Sequence, residues 1–305
     1  MKPIRVAVVG VGHLGSIHAR IYSELQSAQL VAVCDLLPDR AREVAHRYGC
    51  SAATDFRDLL GKAEAVSIAV PTQDHFRLAK PFLSQGVHVL VEKPMTRTVQ
   101  EADALLKLAS KTGAILQVGH VERFNAALRR VSDSLNDPRF IEVHRLAPFQ
   151  PRGTEVGVVL DLMIHDIDLL LGLVRNPIRR LEAVGVKVLT PFEDIANARI
   201  TFQNGAVANL TASRISKEAI RKFRIFQSDT YISIDLLGQS VDIYRHLDHR
   251  ITHENLPIPR EEPLKSELAA FLESIAHRRP PPVMAQEARD ALDVALKITR
   301  KIHQV

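Results

Sequence analysis

A histidine and three aspartates stand close together in the segment Asp161-Leu162-Met163-Ile164-His165-Asp166-Ile167-Asp168. On a helix, Asp161, His165 and Asp168 share one face, because they are four and three residues apart. A histidine can take the proton of a hydroxyl near neutral pH, and a neighbouring carboxylate can orient its ring. The same spacing suits zinc ligands, and it also suits a capped helix start with a packed histidine. No second His/Cys cluster completes a ligand set, so we expect no metal.

A second candidate for chemistry is Val91-Glu92-Lys93-Pro94, at the end of an apolar run. The ammonium group of Lys93 can donate a hydrogen bond to a hydroxyl or carbonyl oxygen and stabilise negative charge that develops there. The alternative is a surface lysine paired with Glu92. The position at the end of a predicted strand, before a proline that fixes the turn, favours a catalytic role.

The start of the chain has the pattern of a dinucleotide site. The predicted strand Ile4–Val9 leads into Gly10-Val11-Gly12-His13-Leu14-Gly15, and a helical pattern follows over Leu14–Leu25. The first glycine allows a sharp turn, the second leaves room for a pyrophosphate, and the third lets helix and strand pack closely. Backbone N–H groups at the helix start favour a bound anion.

Asp35 closes the next apolar run, where its carboxylate can accept hydrogen bonds from both ribose hydroxyls of an adenosine. A carboxylate there repels a 2′-phosphate, so NAD is the expected cofactor. Arg40 lies nearby and softens that discrimination, which leaves NADP as an alternative. The residues expected to bind the cofactor are Gly10, Gly12, His13, Leu14, Gly15, Asp35, Arg40, Pro71, Thr72, His75, Glu92, Lys93 and Pro94.

Residues 1–118 alternate strand and helix patterns, which predicts an α/β domain with a Rossmann-type, doubly wound parallel sheet. Ligands of such sheets bind beyond the carboxyl ends of the strands, so we expect those ends to line one crevice. The predicted strands are Ile4–Val9, Leu30–Asp35, Ala65–Val70, His88–Glu92 and Ile115–Val118, and the predicted helices are Leu14–Leu25, Asp39–Tyr48, His75–Ser84 and Val99–Ser110.

Residues 119–305 have the pattern of an α+β domain with an open, mainly antiparallel sheet. Asn204-Gly205, between two apolar runs, is a strong hairpin signal. Helices can cover one sheet face, and self-association into a homodimer or homotetramer is the simplest cover for the other. The predicted strands are Phe140–Phe149, Ala196–Phe202, Ala206–Ser213, Phe223–Phe226, Tyr231–Leu236 and Val241–Tyr244, and the predicted helices are Val158–Leu173, Leu264–Ala276 and Ala285–Ile302.

The segment Gly119–Asn125 lies at the predicted junction of the two domains, where substrates of two-domain enzymes bind. We therefore expect His120, Arg123 and Asn125, together with Asp168, to contact the substrate. A junction stabilised by ordinary salt bridges is the alternative interpretation. His18, in the first predicted helix, is expected to be packed rather than catalytic.

Composition narrows the class of protein. The chain has 305 residues, 46% of them hydrophobic, two cysteines and a net charge of +5. The first strand begins close to the start and no apolar run is long enough to cross a bilayer, so we expect a cytoplasmic protein without a membrane partner. Basic residues are scattered among acidic ones, which argues against nucleic acid as a partner. The two cysteines are expected to be core thiols.

Taken in order, these motifs resemble the glucose–fructose oxidoreductase / inositol dehydrogenase / rhizopine-catabolism (Gfo/Idh/MocA) family of NAD(P)-dependent sugar dehydrogenases. The resemblance implies that Lys93 positions the reacting oxygen, His165 is the general acid/base and Asp161 binds substrate. It also implies an open sheet used in oligomerisation. Two departures from the family pattern, Glu155-Val156-Gly157 and Met163, predict a different loop and pocket wall.

Within that family, His120–Asn125 is most similar to the nucleotide-sugar branch, which oxidises the 3-hydroxyl of UDP-N-acetylglucosamine or its uronic acid. The resemblance then implies that Arg123 contacts the pyrophosphate or a sugar carboxylate. Three alternatives stay open: a dehydrogenase of a free sugar or inositol, reduction of an aldehyde or imine by the same residues, and a non-catalytic NAD-binding regulator. The presence of Lys93, Asp161 and His165 argues against the regulator.

Overall fold

The computed structural model describes residues 2–131, 134–151, 153–247 and 249–304. The chain forms two compact units, one of Met1–Val121 with Glu262–Arg289 and the other of Glu122–Glu261 with Asp290–Val305. The domains predicted from sequence, 1–118 and 119–305, differ from these units chiefly in the segment 262–289. Within the described ranges, no helix combines the length and apolarity needed to span a bilayer.

The first unit contains a six-stranded parallel sheet in the order β3-β2-β1-β4-β5-β6. The chain order of the strands reverses between β1 and β4, which is the point where such sheets bind ligands. The predicted Rossmann architecture is confirmed. The strands are β1 (Ile4–Val9), β2 (Ala28–Cys34), β3 (Ser51–Ala53), β4 (Ala65–Ile68), β5 (His88–Glu92) and β6 (Leu116–Gly119), and the helices are α1 (His13–Glu24), α2 (Pro38–Tyr48), α3 (Thr72–Ser84), α4 (Val99–Thr112) and α7 (Pro263–His277).

Helix α7 belongs to the first unit because its apolar face completes the core there. Leu268, Phe271 and Leu272 are fully buried in the same hydrophobic cluster as Val6 and Tyr22. Burial of three such side chains stabilises the unit by several kcal/mol, at about 1.5–3 kcal/mol each. The sequence pattern shows that α7 is amphipathic but does not show which sheet its apolar face covers.

The second unit contains an eight-stranded sheet in the order β14-β13-β12-β11-β7-β10-β9-β8. Only the β7–β10 pair among these strands is parallel, so the predicted mainly antiparallel sheet is confirmed. The strands are β7 (Phe140–Leu146), β8 (Ile178–Val186), β9 (Ile195–Phe202), β10 (Val207–Ser213), β11 (Ile220–Phe226), β12 (Thr230–Asp235), β13 (Ser240–Leu247) and β14 (Arg250–Leu256), and the helices are α5 (Ala126–Val131), α6 (Ile164–Val174) and α8 (Ala285–His303), which contributes to both units.

Three strands were not predicted, and one predicted helix differs. Strands β3, β8 and β14 are additional to the predicted set. The apolar stretch expected to form one helix over Val158–Leu173 begins instead with a π-helical turn, Val159–Met163, and continues as α6. The turn contains Asp161, so the backbone departs from α-helical geometry at a predicted catalytic residue. Single π-helical turns are frequent at functional sites.

The sheet of the second unit has one buried and one polar face. Ile141, Val143 and the alternate residues of the neighbouring strands are buried, whereas Glu142 pairs with Arg224 on the opposite face. We name this opposite face the outer face. It also carries a row of adjacent rings. Phe140 is tilted against Phe226, and the stacked rings are, in order, Phe226, Tyr231, Tyr244 and His253.

Candidate active site

The glycine turn between β1 and α1 has the tight geometry that its three glycines predict. Gly10 has φ +83°, and a Cβ there would lie 2.7 Å from the carbonyl oxygen of Ala69. A Cβ at Gly15 would lie 1.8 Å from the carbonyl oxygen of Gly10, so the helix start packs directly on the turn. A Cβ at Gly12 would meet nothing closer than Arg40 at 4.0 Å, which leaves open space beside the helix start.

Asp35 follows β2 and faces the glycine turn. Its Oδ2 accepts the N–H of Val11 at 3.0 Å, and its Oδ1 accepts the N–H of Leu37 at 2.9 Å. The guanidinium of Arg40 lies 3.5 Å from Oδ2 and is half exposed. These contacts fix the carboxylate at the strand end while Arg40 remains able to swing toward solvent.

A cavity of about 510 Å³ opens at these strand ends, within the first unit. Its volume is in the range of small-molecule and cofactor sites, and the glycine turn and Asp35 supply the anion-binding and ribose-binding groups that NAD requires. The residues present therefore fit the adenosine part of this cofactor. Of the predicted cofactor residues, the cavity is lined by Gly10, Gly12, Asp35, Arg40 and Pro71; His13, Leu14, Gly15, Thr72, His75, Glu92, Lys93 and Pro94 lie outside its lining.

The turn after β5 contains Glu92, Lys93 and Pro94, with a cis peptide bond between the last two. His75 lies against this turn: its Nδ1 is 2.9 Å from the carbonyl oxygen of Pro94, and its Nε2 is 2.9 Å from the carbonyl oxygen of Val70. Burial lowers the pKa of His75. Because a neutral imidazole has one N–H, His75 donates a hydrogen bond to one of these carbonyl oxygens and only contacts the other. It thus lies between the Lys93 turn and the residues after β4, beside the predicted cofactor site.

A buried polar cluster lies under the same turn. His18 Nε2 is 3.2 Å from Oε1 of Glu92, and His18 Nδ1 is 3.0 Å from the Ser67 hydroxyl, which also contacts Tyr22 at 3.1 Å. Burial raises the pKa of Glu92, but the hydrogen bond with His18 and nearby positive charge outweigh burial, so its pKa lies below the usual value. His18 is therefore packed, as predicted, and Glu92 stays ionised next to Lys93.

The predicted catalytic residues lie in different units. Lys93 belongs to the first unit, and Asp161 and His165 belong to the second. Asp161 and His165 are half-buried on the π-helical turn and the first turn of α6. The Asp161 N–H donates to the carbonyl oxygen of Gly157 at 3.1 Å, which fixes the start of this segment.

Two predicted substrate residues bind each other. Arg123 donates to Oδ2 of Asp168 at 2.6 Å and to Oδ1 at 2.9 Å. A Cβ at Gly172 would lie 2.8 Å from the Arg123 guanidinium, so this glycine lets the arginine lie against α6. Because both oxygens of Asp168 face a guanidinium, the arrangement favours an ion pair over the zinc-ligand interpretation of this aspartate.

The other two substrate candidates are buried. Asn125 donates to the carbonyl oxygen of Leu236 at 2.9 Å and accepts the N–H of Ala127 at 3.1 Å, so its amide holds the start of α5. His120 is fully buried in the first unit. Neither position tests the predicted contact with substrate, which stays a prediction.

A buried arginine, Arg145, binds both Glu122 and a residue of α6. Arg145 donates to both oxygens of Asp166 at 2.8–3.0 Å and to Oε1 of Glu122 at 2.9 Å. Arg221 lies 3.3 Å from the same Glu122 oxygen. His165 is thus followed in sequence by two aspartates, Asp166 and Asp168, whose carboxylates are bound by arginines.

A model of the NAD-binding Rossmann fold of an oxidoreductase family matches residues 4–120, and a model of the GFO/IDH/MocA C-terminal domain matches residues 117–233. The chain belongs to the GFO/IDH/MocA family. It is therefore an NAD-binding oxidoreductase, and the predictions of the family, the enzyme class and NAD are confirmed.

Members of this family that resemble the chain include one match over nearly its whole length. UDP-N-acetylglucosamine 3-dehydrogenase of Acidithiobacillus ferrooxidans is 39% identical over 98% of this chain and 97% of its own. A solved structure of that enzyme has a TM-score of 0.94 and covers 100% of this chain. Inositol 2-dehydrogenase of Rhizobium meliloti is 32% identical over 54% of this chain and 53% of its own. Levoglucosan dehydrogenase in complex with NADH, at 18% identity and a TM-score of 0.91, shows the shared fold.

Two further residues support the site, Arg145 and Arg214, and neither belongs to a sequence motif. Both are buried, and both occupy positions where the strand alternation points a side chain into the core: Ile141 and Val143 precede Arg145 at a spacing of two. A charge on the apolar side of an alternating strand is itself a signal of a buried ion pair. That signal was available in the sequence of this GFO/IDH/MocA member.

Proposed function

We propose that the protein is an NAD-dependent dehydrogenase of a nucleotide sugar, oxidising the 3-hydroxyl of UDP-N-acetylglucosamine or a close relative of it. The observation that carries the proposal is the 39% identity to a UDP-N-acetylglucosamine 3-dehydrogenase over 98% of this chain. The relatives named as inositol dehydrogenases match only about half of the chain or are less similar, which supports the nucleotide sugar over a free polyol.

We assign the proton transfer to His165 and the stabilisation of the reacting oxygen to Lys93. His165 takes the hydroxyl proton, and the Lys93 ammonium donates a hydrogen bond to the oxygen as negative charge develops on it. Asp161 accepts a hydrogen bond from the substrate. NAD, when bound, supplies the acceptor for the hydride. The lowered pKa of Glu92 supports this assignment, because it places an ionised carboxylate directly before Lys93 in the turn.

The cofactor is held by the glycine turn and Asp35 on the adenosine side, with Arg40 at the rim. Asp35 favours NAD over NADP through charge repulsion of a 2′-phosphate. The predicted contact of Arg123 with a pyrophosphate or a sugar carboxylate stays a prediction, since its guanidinium already binds Asp168. The roles of His120 and Asn125 in substrate binding are proposed with it.

The proposal is tested by mixing purified protein, NAD and UDP-N-acetylglucosamine and following NADH absorbance, with a ketone trap to pull an unfavourable equilibrium. Free glucose and myo-inositol serve as parallel substrates. NADH formed with the UDP-sugar alone is the expected result. Reduction of NAD with a free sugar but not with the UDP-sugar would support a sugar dehydrogenase and contradict the nucleotide-sugar substrate. No reduction with any of them would contradict the proposed substrate class.

We also propose that the protein is a cytoplasmic homodimer or homotetramer that associates through the outer face. Exposed apolar side chains on and after the edge strand β8, Val184, Val186, Val188 and Leu189, support this interface because water solvates them poorly. Light scattering measures the mass directly. A monomer at micromolar concentration, or an oligomer unaffected by Val186→Lys, would contradict the interface.

A further inference from the structure

Arg214 is a buried cation at the end of β10, in the second unit. It follows the inward-facing residues Leu210 and Ala212 at a spacing of two, and it is 4% exposed. Its own N–H donates to the carbonyl oxygen of Asp194 at 2.9 Å. Burial of a guanidinium is costly unless its donors and its charge are satisfied, so its partners show what it is for.

The partners of this guanidinium lie on one short segment. Nη1 donates to the carbonyl oxygen of Gly153 at 3.2 Å, and Nη2 donates to that of Val156 at 2.8 Å. Nη2 also lies 3.8 Å from Oδ2 of Asp161. Arg214 thus holds the backbone before the π-helical turn and places a positive charge beside the carboxylate on that turn.

The same segment closes around Asp161. Gly153 has φ +73°, and a Cβ there would lie 3.1 Å from Oδ2 of Asp161, so a larger residue would crowd the carboxylate. A Cβ at Gly157 would lie 1.9 Å from Oε1 of Glu193. A side chain at position 157 would therefore clash with Glu193, and one at position 153 would press on the Asp161 carboxylate and strain the backbone.

The backbone that binds the Arg214 N–H is itself fixed by several hydrogen bonds. Asp194 accepts the N–H groups of Val188, Leu189 and Thr190, at 2.8, 2.6 and 2.9 Å, and the Thr190 hydroxyl at 2.7 Å. Burial raises the pKa of Asp194, but these hydrogen bonds outweigh burial and lower it to about 2. The preceding residue, Glu193, accepts the N–H of Val158 through its carbonyl oxygen at 2.9 Å. The Glu193-Asp194 pair therefore anchors both Arg214 and the start of the catalytic segment.

We propose that Arg214 is a positioning residue for Asp161: it fixes segment 153–161 and directs the Asp161 carboxylate, as a charged acceptor, toward the sugar substrate. This inference rests on the proposed role of Asp161 in binding that substrate. Misplacement of a binding group by about 1 Å can cost on the order of 100-fold in rate, so the loss of Arg214 is expected to matter on that scale.

The test compares Arg214→Met and Arg214→Lys in the full chain, with Arg47→Met as a control on an exposed arginine of α2. We expect Arg214→Met to lower kcat/KM for UDP-N-acetylglucosamine by about 100-fold while the Kd for NADH is unchanged. Arg214→Lys should recover about tenfold of this loss, because a lysine keeps the charge beside Asp161 but cannot bind both carbonyl oxygens. Arg47→Met should match the wild type.

A double-mutant cycle with Asp161→Asn separates positioning from a general structural role. If Arg214 acts through Asp161, Arg214→Met adds little to the loss already caused by Asp161→Asn. Losses that multiply in the double variant would overturn the proposal. A lower melting temperature with unchanged kcat and KM of the folded fraction would overturn it as well.

A second measurement distinguishes failure of this inference from failure of the proposed function. Amide hydrogen exchange needs no substrate, and Arg214→Met should speed exchange of the Asp161 N–H while Arg47→Met should not. If the wild type does not oxidise UDP-N-acetylglucosamine but exchange responds as expected, only the proposed substrate fails. If exchange at Asp161 is unchanged, Arg214 does not hold the segment.

Discussion

Replacement of Arg145 by methionine is expected to destabilise the protein more than any surface substitution. The Arg145 guanidinium is 3% exposed and makes close hydrogen bonds to Asp166 and Glu122. Methionine fills most of the same volume but leaves two buried carboxylates without that partner. Breaking a buried ion pair from one side costs about 3–5 kcal/mol, so we expect a loss of that size in the free energy of unfolding at neutral pH.

The loss should depend on pH with a defined sign. Burial raises the pKa of Asp166, although Arg145 opposes that shift; burial also raises the pKa of Glu122, but the charge of Arg145 outweighs it, so that pKa lies below the usual value. Without Arg145, both folded-state pKa values rise above the unfolded ones. The contribution of these carboxyls to the variant's free energy of unfolding is then fully present below their pKa values in the unfolded chain. It is lost as pH rises through their pKa values in the folded protein. The deficit against wild type should therefore shrink toward about pH 4.

The chain has no tryptophan, so urea unfolding is best followed by far-UV circular dichroism at fixed protein concentration. Arg145→Met is compared at neutral pH and at about pH 5, where carboxyls with raised pKa values begin to protonate. The double variant Arg145→Met/Asp166→Asn removes one of the two buried carboxylates that lose Arg145, and should recover part of the lost free energy of unfolding. A loss below about 1 kcal/mol, or one equal at both pH values, would refute the reasoning, because it would mean that the carboxylates are solvated.

Four further substitutions test the site. Lys93→Met and His165→Gln should each lower kcat by roughly 10²–10⁴-fold and leave the Kd for NADH unchanged in a fluorescence titration; loss of NADH binding would indicate a cofactor or structural role instead. Asp35→Asn should raise the ratio of kcat/KM with NADP to that with NAD by about tenfold, since one carboxylate no longer repels a 2′-phosphate; an unchanged ratio would show that Asp35 does not set the preference. Gly157→Ala should destabilise the protein by about 1–3 kcal/mol, because its Cβ would lie 1.9 Å from Glu193, and an unchanged melting temperature would contradict this packing.

The elements of the first unit were predictable because their patterns are strong. Strand Ile4–Val9, for example, is apolar at every residue except Arg5, and the helices between the strands have a clear apolar face, so periodicity separates the two kinds of element. The missed β3 has three residues, too few to show a period. Strand β14 is exposed at every residue but its last, so it has no apolar alternation to detect.

The site was predictable as a set of motifs but not as a set of contacts. Gly10, Gly15 and Asp35 are local features, and the structure places them as their spacing predicts. The pairing of Arg123 with Asp168 joins residues far apart in sequence, and side-chain type alone does not distinguish an arginine bound to a substrate from one bound to an aspartate. The π-helical turn at Asp161 was also hidden, because its apolar pattern is that of an ordinary helix.

Three arginines from separate segments hold one stretch of chain in the second unit. Arg214 binds the backbone before Asp161, Arg145 binds Asp166, and Arg123 binds Asp168. Buried ion pairs contribute little net stability, since desolvation offsets most of their attraction, but each fixes a single geometry for the groups it joins. Apolar contacts are non-directional, so they would bury this stretch without fixing the direction of its polar groups. The three arginines around His165 are therefore best explained by a requirement for orientation, which the proposed proton transfer to and from a sugar hydroxyl would need.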